Sequence, residues 1–167
     1  MQRACLFFIL AAVLLSPLVA PGQVPGKGRL RDVLPAEGLD KSSVVVFHDQ
    51  AVLDAHYYLA DETVLGLSKK TEAVFARYRT GPGVALLLVV SYPADEDARR
   101  VYERFGRDFF SKKFDGKSLR TLEKLETGDY AAAVLARSVL IVVLEAPDRK
   151  SCDELARRAE ERALALF

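Results

Sequence analysis

Thr71–Tyr92 reads TEAVFARYRTGPGVALLLVVSY, and the reading of this stretch decides the fold class. Thr71–Arg79 and Gly83–Tyr92 are rich in β-branched and aromatic residues, and they flank Thr80-Gly81-Pro82-Gly83. Two such runs around a Gly/Pro turn predict a β-hairpin, because Gly and Pro supply the backbone angles a tight reversal needs. Val84–Val90 is apolar without interruption. That predicts a central strand, or one with both faces covered. Pro93, which has no N–H to give a ladder, ends it.

Downstream, the period changes. In Asp95–Phe110 the apolar Ala98, Val101, Tyr102, Phe105 and Phe109 fall on one helical stripe. Asp95, Glu96 and Asp97 load the first turn with the charge that a helix dipole favours there. Glu103 and Arg107 are placed as an i,i+4 pair, and Gly106 should weaken the last turn by about 1 kcal/mol relative to Ala. Lys112–Ser118 is a polar loop; its Gly116-Lys117-Ser118 lacks the earlier glycine and the preceding strand that a phosphate-binding loop requires. Leu119–Glu126, Tyr130–Ala136 and Val139–Glu145 read as a three-stranded meander. Its turns are Thr127-Gly128-Asp129 and Arg137-Ser138. Ser151–Phe167 predicts a closing helix, with Ser151 and Glu154 as a capping box. Its apolar stripe is Cys152, Leu155, Ala156, Ala159, Ala163 and Leu166. Asp153→Arg157 and Glu154→Arg158 are expected pairs on its outer face.

Upstream, Ser43–His48 (SVVVFH) reads as a short buried strand. In Gln50–Leu67, the residues Ala51, Val52, Ala55, Tyr58 and Leu59 fit a helical stripe, and Thr63–Leu67 reads as irregular or extended. Residues 23–42 are rich in Pro, Gly and charge and read as a linker or extended lead-in. The expected architecture is α+β: a two-layer sandwich, with a largely antiparallel sheet and two amphipathic helices on one face. Residues 43–167 form its single domain. Strands followed by a helix occur twice, which leaves an internal duplication open.

The chain has 167 residues, 50% hydrophobic and 28% charged, with 24 Lys+Arg against 23 Asp+Glu. This is a one-domain length, and the composition excludes wholesale disorder. The balanced charge argues against nucleic acid as a partner. Residues 1–22 (MQRACLFFILAAVLLSPLVAPG) have one basic residue, Arg3, an apolar run, a Ser-Pro break and small residues after it. That is a signal-peptide pattern, with cleavage expected after Gly22. The unbroken apolar run is shorter than the ~20 residues a spanning helix needs. The membrane is therefore expected to be a partner only through this segment, if it stays uncleaved. Export to the periplasm or outside the cell follows. With Cys5 in the signal, Cys152 stands alone and no disulfide framework forms.

The chemistry-bearing residues concentrate around the two histidines. His48, Asp49 and His56 are the types that ligate divalent metals, but their spacing matches no metal signature. His48, Asp49, His56, Tyr57, Tyr58 and Arg77 are the candidate ligand-binding residues; no catalytic residue, metal ligand set or cofactor is assigned. Cys152 lies in a helical first turn, where a thiol can be activated, but it shares the apolar stripe of Leu155 and Ala159. Arg99, Arg100, Arg104 and Arg107 are read as a solvated helix face. Tyr57, Tyr58, Phe109, Phe110 and Phe114 fit either an apolar pocket or ordinary core.

Several stretches together resemble a family of exported bacterial proteins of unknown function. They are Leu34-Pro35-Ala36-Glu37-Gly38, Tyr58-Leu59, Leu65-Gly66-Leu67, Thr71–Tyr78, Leu87–Pro93 with Ala98, and the closing strand and helix over Val139–Leu164. The resemblance implies export and an α+β domain, and carries no activity or catalytic residue with it. Arg77 and Tyr78 are its most distinctive polar-tipped positions; an inward Arg77 would need a carboxylate such as Glu72 or Glu123. The functional expectation is a non-enzymatic exported domain that binds a small ligand or a partner protein. The alternative is a small-ligand or metal-dependent enzyme built on the His48/His56 region.

Overall fold

The predicted hairpin over Thr71–Tyr92 forms, and its second strand lies at the middle of the sheet. A computed structural model describes residues 29–59, 63–81, 83–110, 114 and 116–167. The expected signal segment 1–22, residues 23–28, Asp61 and Glu62, Pro82 and most of Lys112–Asp115 lie outside the described residues. Along the chain run β1 (Val45–Phe47), α1 (Gln50–Asp54), β2 (Glu72–Thr80), β3 (Gly83–Ser91) and α2 (Asp95–Phe109). After these come β4 (Arg120–Lys124), β5 (Tyr130–Ala136), β6 (Val139–Ala146) and α3 (Arg149–Leu166). The six strands form one antiparallel sheet in the order β1-β2-β3-β6-β5-β4. The two most apolar strands, β3 and β6, are central neighbours, with Leu88 opposite Val142. The class is α+β, as the strand and helix patterns predicted.

The helices do not share a face. In β3, Leu86, Leu88 and Val90 point into a core that holds Ala98, Val101, Tyr102 and Phe105 of α2. Their neighbours Ala85, Leu87 and Val89 point the other way, into a second core holding Cys152, Leu155, Ala156 and Ala159 of α3. The expected two-layer arrangement is thus corrected to three layers, with the sheet between α2 and α3. The physical reason lies in the central strands: successive side chains point to opposite faces, so an uninterrupted apolar strand has two faces to bury. The same placement speaks against a two-fold duplication. A rotation that exchanges the antiparallel neighbours β3 and β6 keeps both helices on one face.

The lead-in is packed from Leu30 onward rather than serving as a free linker. A single 3₁₀ turn over Leu30–Val33 buries both of its end residues in the α3-side core. The Tyr78 hydroxyl, fully inside, donates to the Pro35 carbonyl at 2.9 Å. Leu39 bridges Tyr78, and Glu37 pairs with Arg158 of α3. Arg158 is therefore not spent on Glu154, and Arg157 pairs with Glu161 instead of Asp153. Asp153 and Glu160 hold Arg120 of edge strand β4.

Local boundaries differ where a stronger group was overlooked. α3 starts at Arg149, capped by Asp148 rather than Ser151. An ionised carboxylate accepts a stronger, charge-assisted hydrogen bond from an orphan N–H than a hydroxyl does. Asp148 takes the Ser151 N–H at 2.9 Å and the Ser151 hydroxyl at 2.7 Å. Those bonds hold its carboxyl below the ordinary aspartate range. β1 is a short edge strand, with Val46 exposed, not a buried one. The expected stripe over Gln50–Leu59 fails as well. α1 is only five residues long, Ala51, Ala55 and Tyr58 are exposed, and Leu53 and Leu59 carry the burial. Gly106, expected to loosen the helix, gives room to the Phe114 ring, which a Cβ at that position would strike.

Candidate functional site

The α2 side of the sheet carries an open cleft of about 600 Å³. One wall is the stripe of α2 formed by Asp97, Arg100, Val101, Arg104 and Arg107; the other is the irregular segment Gly66–Thr71. The stripe arises because residues three and four apart lie above one another on a helix. Tyr92 and Pro93, at the end of β3, close the floor.

The irregular wall is pinned from beneath. Arg104 donates through Nε at 3.1 Å and Nη2 at 3.0 Å to the Val64 carbonyl. The Tyr92 hydroxyl donates to the Leu65 carbonyl at 2.8 Å, and burial pushes its pKa far up, so it remains a proton donor. Val64 and Leu65 themselves sit in the α2-side core. Gly66 follows with φ +57°, a left-handed angle that glycine adopts at little cost. A Cβ at Gly66 would approach Arg104 Nη2 to 3.3 Å, so the glycine also leaves the guanidinium its place. Farther on, the Ser68 N–H donates to Thr71 Oγ1 at 2.9 Å, and that hydroxyl donates to the Ser68 carbonyl at 2.8 Å. His48 ties this turn to β1 by donating from Nδ1 to the Thr71 carbonyl at 2.5 Å.

Charge is unequal along the walls. Lys70, Arg100, Arg104 and Arg107 face two acids, Asp97 and Glu103. Arg100 is bound by Asp97. Lys70 and Arg107 make no ion pair among the described residues. A second cleft of about 400 Å³ shares Lys70 and Thr71, and Arg29, His48, Lys69 and Glu72 also line it. A smaller hollow of about 150 Å³ between Tyr78, Thr80 and α3 is walled by the Glu37–Arg158 pair.

The residues singled out in the sequence are scattered. His48 is exposed and borders the second cleft. Asp49 is the N-cap of α1, accepting the Val52 N–H at 3.1 Å. His56 is exposed and lies with its ring 6.2 Å from that of Phe75 on β2. Tyr57 is half-buried, 6.4 Å from the same ring. Burial first, then the charges of Glu145 and Asp129, raises its pKa. Tyr58 is 68% exposed. Arg77 is exposed on β2, where its N–H donates to Ser43 Oγ at 2.8 Å. Among the described residues, no three His, Cys, Asp or Glu side chains gather where they could hold a metal. Cys152 is buried, and burial pushes its thiol up to about 12, far from the thiolate a nucleophile needs. Phe109, Phe110 and Phe114 pack on the α2-side core.

Sequence reasoning passed over Lys70 and Tyr92, and it read Arg104 as part of a solvated helix face, whereas its guanidinium is half-buried and bound to the Val64 carbonyl. The signal was the spacing of Arg100, Arg104 and Arg107, which separates them from Arg99 on a helical wheel. Compared with protein-family models, curated proteins and solved structures, the chain finds no match. Among the described residues, no helix is long and apolar enough to cross a membrane.

Proposed function

We propose that the chain is an exported binding domain that holds a small ligand in the cleft beside α2 and does not transform it. The observation that carries this reading is the anchored wall: the carbonyls of Val64 and Leu65, directly before Gly66–Thr71, accept hydrogen bonds from Arg104 and Tyr92, which both line the cleft. A recess whose shape is set before a ligand arrives loses little freedom on binding. Its volume falls within the range of small-molecule sites, roughly 300–1,000 Å³. Export rests on the signal pattern of residues 1–22.

A thermal-shift panel of neutral, acidic and basic metabolites tests the reading. At least one compound should raise the melting temperature of the full chain and of Arg99→Trp. The same compound should fail on Arg100→Trp, where an indole occupies the mouth of the cleft. A panel without a stabilising compound, or stabilisation that survives Arg100→Trp, overturns it. Export is tested separately by sequencing the N-terminus of the protein recovered from cell fractions. A start after Gly22 outside the cytoplasm supports it; an intact Met1 in the cytoplasm rejects it.

A further inference from the structure

Arg104 presents an unused edge. A guanidinium has five N–H donors in a planar fork. Two of them, from Nε and Nη2, converge on the Val64 carbonyl. The end-on edge, Nη1 with the second Nη2 hydrogen, has no partner among the described residues, although Arg104 is half-buried and lines the cleft. The carbonyl clamp holds the guanidinium in one orientation, so little freedom remains to be lost when the free edge is used. That edge has the spacing of two oxygens on one carboxylate or phosphate. Lys70 and Arg107 bring positive charge without an ion pair to the same cleft; Arg100 neutralises Asp97, and Glu103, also in the lining, offsets only one of the remaining cations.

We propose that the ligand of this cleft is a small organic acid, a carboxylate or a phosphate ester. The free edge of Arg104 receives its acidic group, and Lys70 and Arg107 supply the supporting charge. The inference rests on the binding reading above and names the chemistry of its ligand. The cleft is larger than a bare ion needs, so an uncharged body accompanies the acidic group. Gly66 is a positioning residue: by lacking a Cβ it keeps the guanidinium against the Val64 carbonyl.

Titration calorimetry at low salt with glucose 6-phosphate, citrate and glucose tests the proposal on the full chain. One of the two acids should bind and glucose should not. Preference for glucose 6-phosphate assigns a phosphate ester, and preference for citrate assigns a carboxylate. Arg104→Gln should weaken binding about tenfold or more, the scale of a lost charged hydrogen-bond pair. Arg104→Lys, which keeps the charge and loses the fork, should also weaken it, and by less. Arg107→Gln and Lys70→Gln should each give a few-fold loss and a shallower salt dependence, while Arg99→Gln should change neither. A far-UV spectrum and melting curve identify any variant that has unfolded; Arg107→Gln and Lys70→Gln, at exposed positions, then carry the test. The proposal is overturned if neither acid binds, if glucose binds as well, or if Arg104→Gln and Arg107→Gln leave affinity unchanged. If the metabolite panel yields a cleft ligand that is neutral, the acid inference falls and the binding reading stands. If the panel yields none, both fall.

Discussion

The two faces of the sheet are built from different side chains, and they end up with different jobs. The α3 face is lined by Ala76, Ala85, Ala132, Ala136, Ala156 and Ala159, with Val and Leu between them. Small residues let helix and sheet approach closely, and the lead-in covers what remains at the margin. The α2 face is filled by Phe75, Phe105, Phe110, Tyr92 and Tyr102. Large rings hold the helix farther off, and an irregular segment rather than a helix covers one flank. The cleft opens along that flank. One face is closed by fit, and the other is closed by bulk with a recess beside it.

Truncating the bulk should have the largest effect. Phe105 is fully buried and contacts Phe109 and Phe110, so Phe105→Ala should cost about 3–5 kcal/mol in denaturant unfolding. A loss below about 1 kcal/mol would mean that the α2 face depends little on its rings. Enlargement should separate the faces next. Ala159→Leu on the α3 face should cost about 1–3 kcal/mol through overpacking. Val101→Leu, which borders the cleft, should stay within about 1 kcal/mol. Equal costs would erase the distinction.

Gly106→Ala gives a smaller effect with an informative sign. On propensity alone it should stabilise α2 by about 1 kcal/mol. Collision with Phe114 should cancel that gain, and adding Phe114→Ala should restore part of it in the same unfolding measurement. The smallest effect concerns the start of α3. Asp148 has its pKa lowered on folding, so its contribution is fully present above the unfolded value near 3.8 and is lost as pH falls through the folded value. Asp148→Asn keeps an acceptor and removes the titration. The difference in melting temperature between the two proteins should therefore shrink as pH drops below 3.8. Asp40, also lowered, through its bond from the Ser42 hydroxyl, is common to both and drops out of the comparison.

Strands and helices were legible because their periods are strong. Tyr130–Ala136 is a strand at the bounds predicted, and the β2–β3 turn falls at Thr80 and Gly83. Helix placement was misread although the sign was present: a strand such as Val139–Leu144 has no polar face to turn toward water. The α3 cap was misread because two acceptors lie three residues apart, and the choice between Asp148 and Ser151 depends on strength. The candidate site was barely legible. Attention went to His48 and His56, rare residue types, while the cleft is assembled from common ones. Arg104 is distinguished only by the Val64 carbonyl, which lies far from it in sequence and in a segment with no period of its own.

The central pairing of β3 with β6 has a consequence for the chain before it folds. Val84–Val90 and Val139–Leu144 are uncharged, proline-free and rich in β-formers, the makeup of segments that stack into fibrils. In the finished sheet each is flanked on both sides, and the outermost strands are the short β1 and the charged β4. Yet β6 is synthesised long after β3, so a newly made chain carries one adhesive run unguarded until the other arrives. Self-assembly competes with folding during that interval, and any substitution that delays β6 should show first as insoluble protein rather than as a lower melting point.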